Sequence, residues 1–158
     1  MIPTYNEKEN IKELIRQIFD LRIKNLHIVV VDDNSPDGTW RIAQEISKKN
    51  KNVHLLLRKK DKGRGSAGKD GFIYCLKHGA DVIVEMDADF SHEPKYIPFM
   101  LNELKNADLV LGSRMLEESK EIGRSLIRRV ITYLANLYIR LLLGLKVKDC
   151  NSGFRCFK

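Results

Sequence analysis

The sequence has few cysteines, and their spacing excludes two classes of small protein. Cys75, Cys150 and Cys156 form no C-x-x-C pair that could hold zinc, and their odd number argues against a disulfide scaffold. The four histidines also lack the spacing of metal ligands, and the sequence shows no Ser-His-Asp or Cys-His nucleophile set. We therefore expect a protein of a reducing compartment.

Long apolar runs are absent as well. No stretch reaches the roughly 18 consecutive apolar residues of a membrane span. The start of the chain has neither the basic segment nor the apolar segment of a signal peptide. Met1 and Ile2 resemble the remnant of an opening strand, and residues 154–158 stop without a polar tail. We therefore expect residues 1–158 to form one domain that is truncated at both ends.

Positive charge predominates in this chain. Its 28 lysines and arginines exceed its 21 acidic residues and give a net charge of +7 at pH 7. This balance favours anionic partners, among them phosphorylated metabolites, nucleic acids and anionic lipid surfaces. Because 43% of the residues are hydrophobic and 31% are charged, the composition is that of a globular protein.

Helical patterns alternate with short apolar runs along the chain. The patterns predict helices over residues 9–21, 39–49, 66–78, 93–105 and 124–143, and strands over 26–31, 53–57, 81–86 and 107–112. This alternation predicts an α/β fold with a mostly parallel sheet and helices on both faces. Sheets of this kind bind ligands at the carboxyl ends of their strands.

Two acidic pairs fall at such strand ends. Asp87 and Asp89 end an apolar segment, and an extended backbone points both side chains to the same side. Two hard oxygen ligands there suit Mg²⁺ or Mn²⁺ that also holds a diphosphate. Asp32 and Asp33 end the earlier strand, and we favour Asp33 as the ligand contact. The other interpretation of this pair is a helix cap or a turn.

Other functions are compatible with parts of the pattern. The residues from Gly63 to Lys69 match a P-loop, but Asp70 replaces the Ser or Thr that would bind magnesium. We favour a loop at the border of a substrate crevice. A two-component receiver also gathers acids at strand ends, but its next strand would not end at Arg58. A nucleotide-binding or nucleic-acid-binding module without catalytic activity also stays open.

The last predicted helix is unusually apolar. Within residues 134–145, Asn136 and Arg140 are the residues that strongly interrupt the apolar run. Packing in a core is the interpretation that we favour, and a helix lying on a bilayer is the alternative. Arg124, Arg128 and Arg129 begin this helix, and their guanidinium groups could bind phosphate or face solvent.

Five blocks of sequence carry a family resemblance. They are I-P-T-Y-N-E from Ile2, V-D-D-N-S-P-D-G-T from Val31, M-D-A-D-F-S-H-E-P from Met86, G-S-R from Gly112 and D-C-N-S-G-F-R from Asp149. In this order they resemble the dolichol-phosphate mannosyltransferases, inverting family 2 glycosyltransferases with a GT-A fold. The resemblance spans nearly the whole chain and implies a single catalytic domain over residues 1–158.

The resemblance also implies a role for each matching position. The nucleotide sugar would be bound by Pro3, Tyr5, Glu7, Val31, Asp33, Asp87, Ala88, Asp89 and Arg114. The metal would be bound by Asp87, Asp89 and Ser91, and the acceptor phosphate by Arg114, Arg128, Arg129 and Arg155. The implied catalytic residues are Asp89, Arg114, Arg129 and Asp149.

The implied reaction moves mannose from GDP-mannose to dolichyl or another polyprenyl phosphate, with Mg²⁺ or Mn²⁺ as cofactor. A glucosyltransferase that uses UDP-glucose and the same class of acceptor is the alternative within this family. We expect a membrane surface as a partner, at the cytoplasmic face, and no nucleic acid.

Overall fold

The computed structural model describes residues 1–113, 126–145, 147, 149–150 and 152–158. Within these residues the strands are β1 (Ile2–Thr4), β2 (Ile28–Asp32), β3 (Val53–Leu57), β4 (Ile83–Glu85), β5 (Leu109–Leu111) and β6 (Arg155–Phe157). The α-helices are α1 (Ile11–Asp20), α2 (Thr39–Lys49), α3 (Arg64–Lys77), α4 (Ile97–Glu103) and α5 (Leu126–Leu143).

The strands form two three-stranded sheets, β1-β2-β3 and β4-β6-β5, which Met1 connects edge to edge. β2 lies between β1 and β3, and all three are parallel. Met1 joins β1 to β4, because its nitrogen donates to the Val84 carbonyl (2.5 Å) and its carbonyl accepts from Met86 (3.3 Å). β6 lies antiparallel between β4 and β5. The prediction of a mostly parallel sheet is confirmed.

Helices cover both faces of the parallel sheet. Val30 of β2 belongs to a core shared with α1, α2 and α4, whereas its neighbours Val29 and Val31 pack in a second core with α3. α3 approaches the sheet closely at Gly71, where a Cβ atom would lie 2.7 Å from the sulfur of Met1. This close packing directs the first turn of α3 toward the carboxyl ends of β2 and β4.

The predicted elements agree with the structure in most places. The helix over residues 39–49 and the strand over 53–57 have the predicted bounds. The predicted helix over 93–105 is instead divided into two 3₁₀ turns, Pro94–Tyr96 and Leu104–Asn106, on either side of α4. Pro98 lies in the first turn of α4, where its missing N–H is tolerated, so α4 begins only at Ile97. The short strand β6 was not predicted.

The expectation that the apolar helix α5 packs in a core is wrong for most of its side chains. The exposed ones include Ile127, Val130, Ile131, Tyr133, Leu134, Tyr138, Leu141, Leu142 and Leu143. Consecutive apolar positions such as 141–143 face different sides of a helix, so no single core can cover them all. In the part of the chain that the structure describes, no helix is long and apolar enough to cross a membrane.

Candidate active site

A cavity of about 630 Å³ opens at the carboxyl end of β4. It lies between the first turns of α3, the loop after β4 and the segment that leads into β6. Its lining residues are Arg64, Gly65, Gly68, Lys69, Phe72, Glu85, Asp87, Asp89, Ser91, His92, Gly153 and Arg155. The structure therefore brings the three predicted metal ligands and one predicted acceptor ligand, Arg155, into one cavity. The segment that was predicted to border a crevice as a loop does line the cavity, but from Arg64 onward it is the first turns of α3 rather than a loop.

Asp32 is fully occupied by hydrogen bonds within the protein. Its Oδ1 accepts from the backbone N–H of Ser35 (2.8 Å), and its Oδ2 accepts from the hydroxyls of Ser35 (2.7 Å) and Thr4 (2.8 Å). The residue has no exposed surface. These bonds fix the turn after β2, which is the structural role that the sequence left open for one member of the pair.

Asp33 is a buried anchor for the loop between β3 and α3. Its carboxylate forms an ion pair with Arg58 and accepts a hydrogen bond from the N–H of Gly63 (2.6 Å). Arg58 is itself buried, and it also donates to the Asp70 carboxylate (2.7 Å) and the Asp61 carbonyl (2.5 Å). The Asp33 carboxylate therefore already has two partners within the protein. Its contact with the nucleotide stays a prediction.

Asp87 lies on the wall of the cavity, and about a third of its side chain is exposed. Its Oδ1 accepts from Nε (3.0 Å) and lies near Nη2 (2.9 Å) of Arg64. Its Oδ2 faces Gly153, where a Cβ atom would lie only 2.6 Å away. Glycine at this position therefore lets the chain that leads into β6 pass beside the carboxylate. The backbone N–H of Asp87 donates to Nδ1 of His92 (3.2 Å).

Asp89 is the more exposed member of the second pair. Its Oδ1 accepts a hydrogen bond from the backbone N–H of Ser91 (3.0 Å). Partial burial raises the pKa of Asp89, but the hydrogen bonds from Ser91 and the charge of His92 outweigh it, and the pKa lies below its ordinary value. The carboxylate is therefore ionised at neutral pH, as a cation ligand must be.

The donor chemistry of these residues fits Mg²⁺ or Mn²⁺. Asp87, Asp89 and Ser91 offer hard oxygen atoms to one cavity. Among the described residues, no group of three or more His, Cys, Asp or Glu side chains is arranged to hold a metal ion alone. Magnesium is commonly bound by one or two carboxylates together with water and substrate phosphates, and a pair of aspartates suits that mode.

Three charged residues of the cavity, Arg64, Lys69 and Glu85, were not predicted as site residues from the sequence. Glu85 is buried at the end of β4, and its Oε1 accepts from Nη1 of Arg64 (2.6 Å), while Nη1 of Arg155 lies 3.9 Å from its Oε2. An acidic residue at the end of a buried apolar strand was a usable signal for Glu85. Arg64, inside a glycine-rich turn, gave no comparable signal.

The segment that leads into β6 is tied to α5 and β5. The N–H of Cys150 donates to Oδ1 of Asn136 (2.8 Å), a buried polar residue of the apolar helix. The Ser152 hydroxyl donates to the Gly112 carbonyl (2.5 Å), and Nε of Arg155 donates to the Ser152 carbonyl (2.6 Å). Asp149 is fully buried beside these contacts, and its catalytic role stays a prediction.

The residues implied for the base and ribose lie outside this cavity. The side chains of Pro3 and Val31 are buried, so only their backbone could reach a ligand, and the same holds for Ala88, which the resemblance implies for the donor diphosphate. Tyr5 is exposed after β1, and the Glu7 carboxylate accepts a hydrogen bond from Asn10 (2.8 Å). Their roles as nucleotide ligands stay predictions.

Four arginines that the sequence analysis singled out have side chains outside the described part of the structure. Arg114 lies outside the described residues, as does Arg124 of the basic segment before α5. Arg128 and Arg129 belong to α5, but their side chains lie outside what the structure describes. The predicted acceptor-phosphate site is therefore represented in the cavity by Arg155.

The chain has the GT-A glycosyltransferase fold. Glucosyl-3-phosphoglycerate synthase from Mycobacterium tuberculosis, in complex with Mn²⁺, UDP and glucosyl-3-phosphoglycerate, superimposes with a TM-score of 0.71 at 20% identity. The match covers 99% of this chain and 55% of that one. A complex of the same enzyme with Mn²⁺, UDP-glucose and phosphoglyceric acid has the same TM-score, 0.71, at 20% identity.

The chain matches Glycosyl transferase family 2 over residues 1–158, and it belongs to that family. It is 39% identical, over its full length, to undecaprenyl-phosphate mannosyltransferase of Micrococcus luteus, and 38% identical to polyprenol monophosphomannose synthase of Mycolicibacterium smegmatis. It is 42% identical over 98% of its length to dolichol-phosphate mannosyltransferase of Pyrococcus furiosus. The chain spans 65%, 60% and 44% of these relatives. The expected family and fold are confirmed.

Proposed function

We propose that the protein transfers mannose from GDP-mannose to a polyprenyl phosphate such as dolichyl phosphate, in the presence of Mg²⁺ or Mn²⁺. The three relatives, all named for the mannosylation of polyprenyl phosphates, support the sugar and the acceptor. The observation that carries the proposal is the pair of accessible carboxylates, Asp87 and Asp89, in one cavity with cationic side chains.

The residues of the cavity suit the two charged parts of this reaction. Asp87 and Asp89 would hold the divalent ion, and that ion would neutralise the charge that develops on the departing GDP. The acceptor phosphate is already an anion at neutral pH, so the cavity needs no strong general base. Arg155 lines the cavity and offers forked donors that can direct a phosphate toward the anomeric carbon. A single displacement in this arrangement inverts the sugar.

The acceptor also implies a lipid surface. The exposed apolar side chains of α5 suit a helix that lies in the interface of a bilayer. We therefore propose that the protein works at a membrane surface, on its cytoplasmic face, and that α5 contributes to the contact.

Thermal unfolding in the presence of candidate donors tests the proposal. The protein is heated with GDP, UDP, GDP-mannose or UDP-glucose, each with and without Mn²⁺, since a ligand that binds the folded state raises Tm by mass action. We expect the largest shift with GDP or GDP-mannose together with Mn²⁺. A shift limited to UDP and UDP-glucose would favour the glucosyltransferase alternative. Shifts without turnover on a polyprenyl phosphate would favour a nucleotide-binding module.

A further inference from the structure

Arg64 occupies the position of a cation beside the proposed metal ligands. Its guanidinium group bridges two carboxylates, with Nη1 2.6 Å from Oε1 of Glu85 and with Nη2 2.9 Å and Nε 3.0 Å from Oδ1 of Asp87. Glu85 is buried, whereas 45% of the Arg64 side chain is exposed to the cavity and solvent. The guanidinium group is therefore accessible from the same side as Asp87.

This contact opposes the binding of a metal ion alone. A divalent cation at Asp87 would lie next to the positive guanidinium group, because Oδ1 is already shared with Arg64. The other oxygen, Oδ2, lies beside the backbone of Gly153, where an added Cβ atom would be 2.6 Å away, and 3.9 Å from Nδ1 of His92. The cation must therefore either repel Arg64 or displace it from Oδ1.

A diphosphate changes that balance. It brings negative oxygen atoms into the cavity, and a guanidinium group offers them the same forked donors that it offers to a carboxylate. Arg64 is the first residue of α3, and Lys69, a little further along that helix, lines the same cavity. A phosphate bound between the metal and α3 would therefore find two cations, one of which is now paired with Asp87.

We propose that Arg64 is a donor-binding residue that pairs with Asp87 before ligands bind and with the donor diphosphate afterwards. Release of Oδ1 by Arg64 makes room for the metal, and the diphosphate supplies the new partner of Arg64. Metal and nucleotide therefore bind cooperatively, because each ligand weakens the Arg64–Asp87 contact and so favours binding of the other. The inference rests on the proposed function, because it takes the donor to be a nucleoside diphosphate sugar.

The test is a binding cycle in which Mn²⁺ and GDP are the probes. The affinity for Mn²⁺ is measured by the electron paramagnetic resonance of free Mn²⁺, with and without GDP, and the affinity for GDP by calorimetry, with and without Mn²⁺. For Arg64→Gln we expect Mn²⁺ alone to bind several-fold more tightly, and GDP in the presence of Mn²⁺ to bind about tenfold more weakly. The factor by which each ligand strengthens the other should fall toward one.

Two further variants separate this role from a structural one. Arg16→Gln removes an exposed ion-paired arginine on α1, away from the cavity, and should leave all four affinities unchanged. Arg64→Lys keeps the charge but loses the fork, so the coupling factor should fall at least about threefold. If Arg64→Gln does not fold, because Glu85 loses its closest partner, Arg64→Lys alone decides the question.

The outcomes distinguish this inference from the proposed function. Unchanged affinity for Mn²⁺ alone, or unchanged affinity for GDP with Mn²⁺, in Arg64→Gln would overturn the role of Arg64. An unchanged coupling factor in Arg64→Lys would do the same. If the wild-type protein binds Mn²⁺ and GDP cooperatively but transfers no mannose, the proposed function fails and the role of Arg64 stands.

Discussion

Two acidic pairs follow the carboxyl ends of β2 and β4, which lie on either side of β1, and the protein uses them differently. Asp32 accepts three hydrogen bonds and has no exposed surface, and Asp33 is paired with buried Arg58. Asp87 and Asp89 face the cavity, where their partners are the half-exposed Arg64 and the exposed loop residue Ser91. The difference shows that the internal donors available to a carboxylate, rather than its place at a strand end, separate structural acids from ligand acids.

The spacing of the two pairs accounts for part of this difference. Asp32 and Asp33 are adjacent in the sequence. The Asp32 carboxylate lies under the turn after β2, where it accepts hydrogen bonds from the hydroxyls of Thr4 in β1 and Ser35 in the turn. The pair after β4 is separated by Ala88, whose side chain is buried in the core. With the intervening side chain directed inward, both carboxylates line the cavity.

Asp89→Asn should have the largest effect and should act on catalysis alone. The amide keeps the shape of the side chain but loses the charge that a divalent cation needs, so we expect transfer to fall by on the order of 10²-fold or more. The stability should stay within about 0.5 kcal/mol, because the side chain is exposed. The checks are initial rates of mannosyl transfer in Mg²⁺ and Mn²⁺, and urea unfolding. A variant with the full wild-type rate would remove Asp89 from the metal site.

Arg58→Met should have the opposite profile, with its main effect on folding. The substitution leaves Asp33 buried without its cation, and breaking a buried ion pair from one side typically costs about 3–5 kcal/mol. Urea unfolding measures the loss, and Arg16→Met is the matched control, because its exposed ion pairs are worth less than about 1 kcal/mol. Equal losses in the two variants would contradict the anchoring role of Asp33 and Arg58.

Much of this comparison could be predicted from the sequence. The alternation of helical and apolar patterns predicts the parallel sheet, and the position of Asp87 and Asp89 after a strand predicts their meeting at its carboxyl end. The sequence does not predict the partner of each carboxylate, because partners come from distant positions. Arg58 lies 25 residues from Asp33, and Arg64 lies 23 residues from Asp87. Only the folded chain brings these charges together.

The missed strand β6 and the wrong expectation for α5 have physical causes that a local pattern does not contain. β6 has only three residues, and its place between β4 and β5 comes from long-range pairing that no local pattern records. The apolar composition of α5 predicts burial in a core, but it does not tell a core from another apolar surface. Asn136, which is buried and polar, marks a side of α5 that contacts the protein, through the N–H of Cys150.

A histidine cluster lies at the opposite end of the sheet from the acidic pairs. A substitution there should have the smallest effect of the three and tests whether the two ends of the sheet act independently. Nδ1 of His27 lies 3.0 Å from Nε2 of His54, and the Tyr74 hydroxyl lies 3.3 Å from Nδ1 of His54. Burial lowers the pKa of His54, and the charges of His27 and His78 lower it further. These histidines are at the amino ends of β2 and β3, whereas the acidic pairs are at the carboxyl ends of β2 and β4.

His54→Gln should therefore change acid stability and leave catalysis unchanged. Since the folded state favours neutral His54, the wild-type protein has its full stability above the unfolded pKa of about 6.5 and loses part of it as the pH falls through that value toward the lower folded pKa. The variant should lose less stability between pH 7 and about pH 5.5, as urea midpoints would show. Its transfer rate at pH 7 should equal that of the wild type. A fall in the transfer rate as large as the one expected for Asp89→Asn would mean that the two ends of the sheet are not independent. The loss of activity in Asp89→Asn would then not report on the metal site alone.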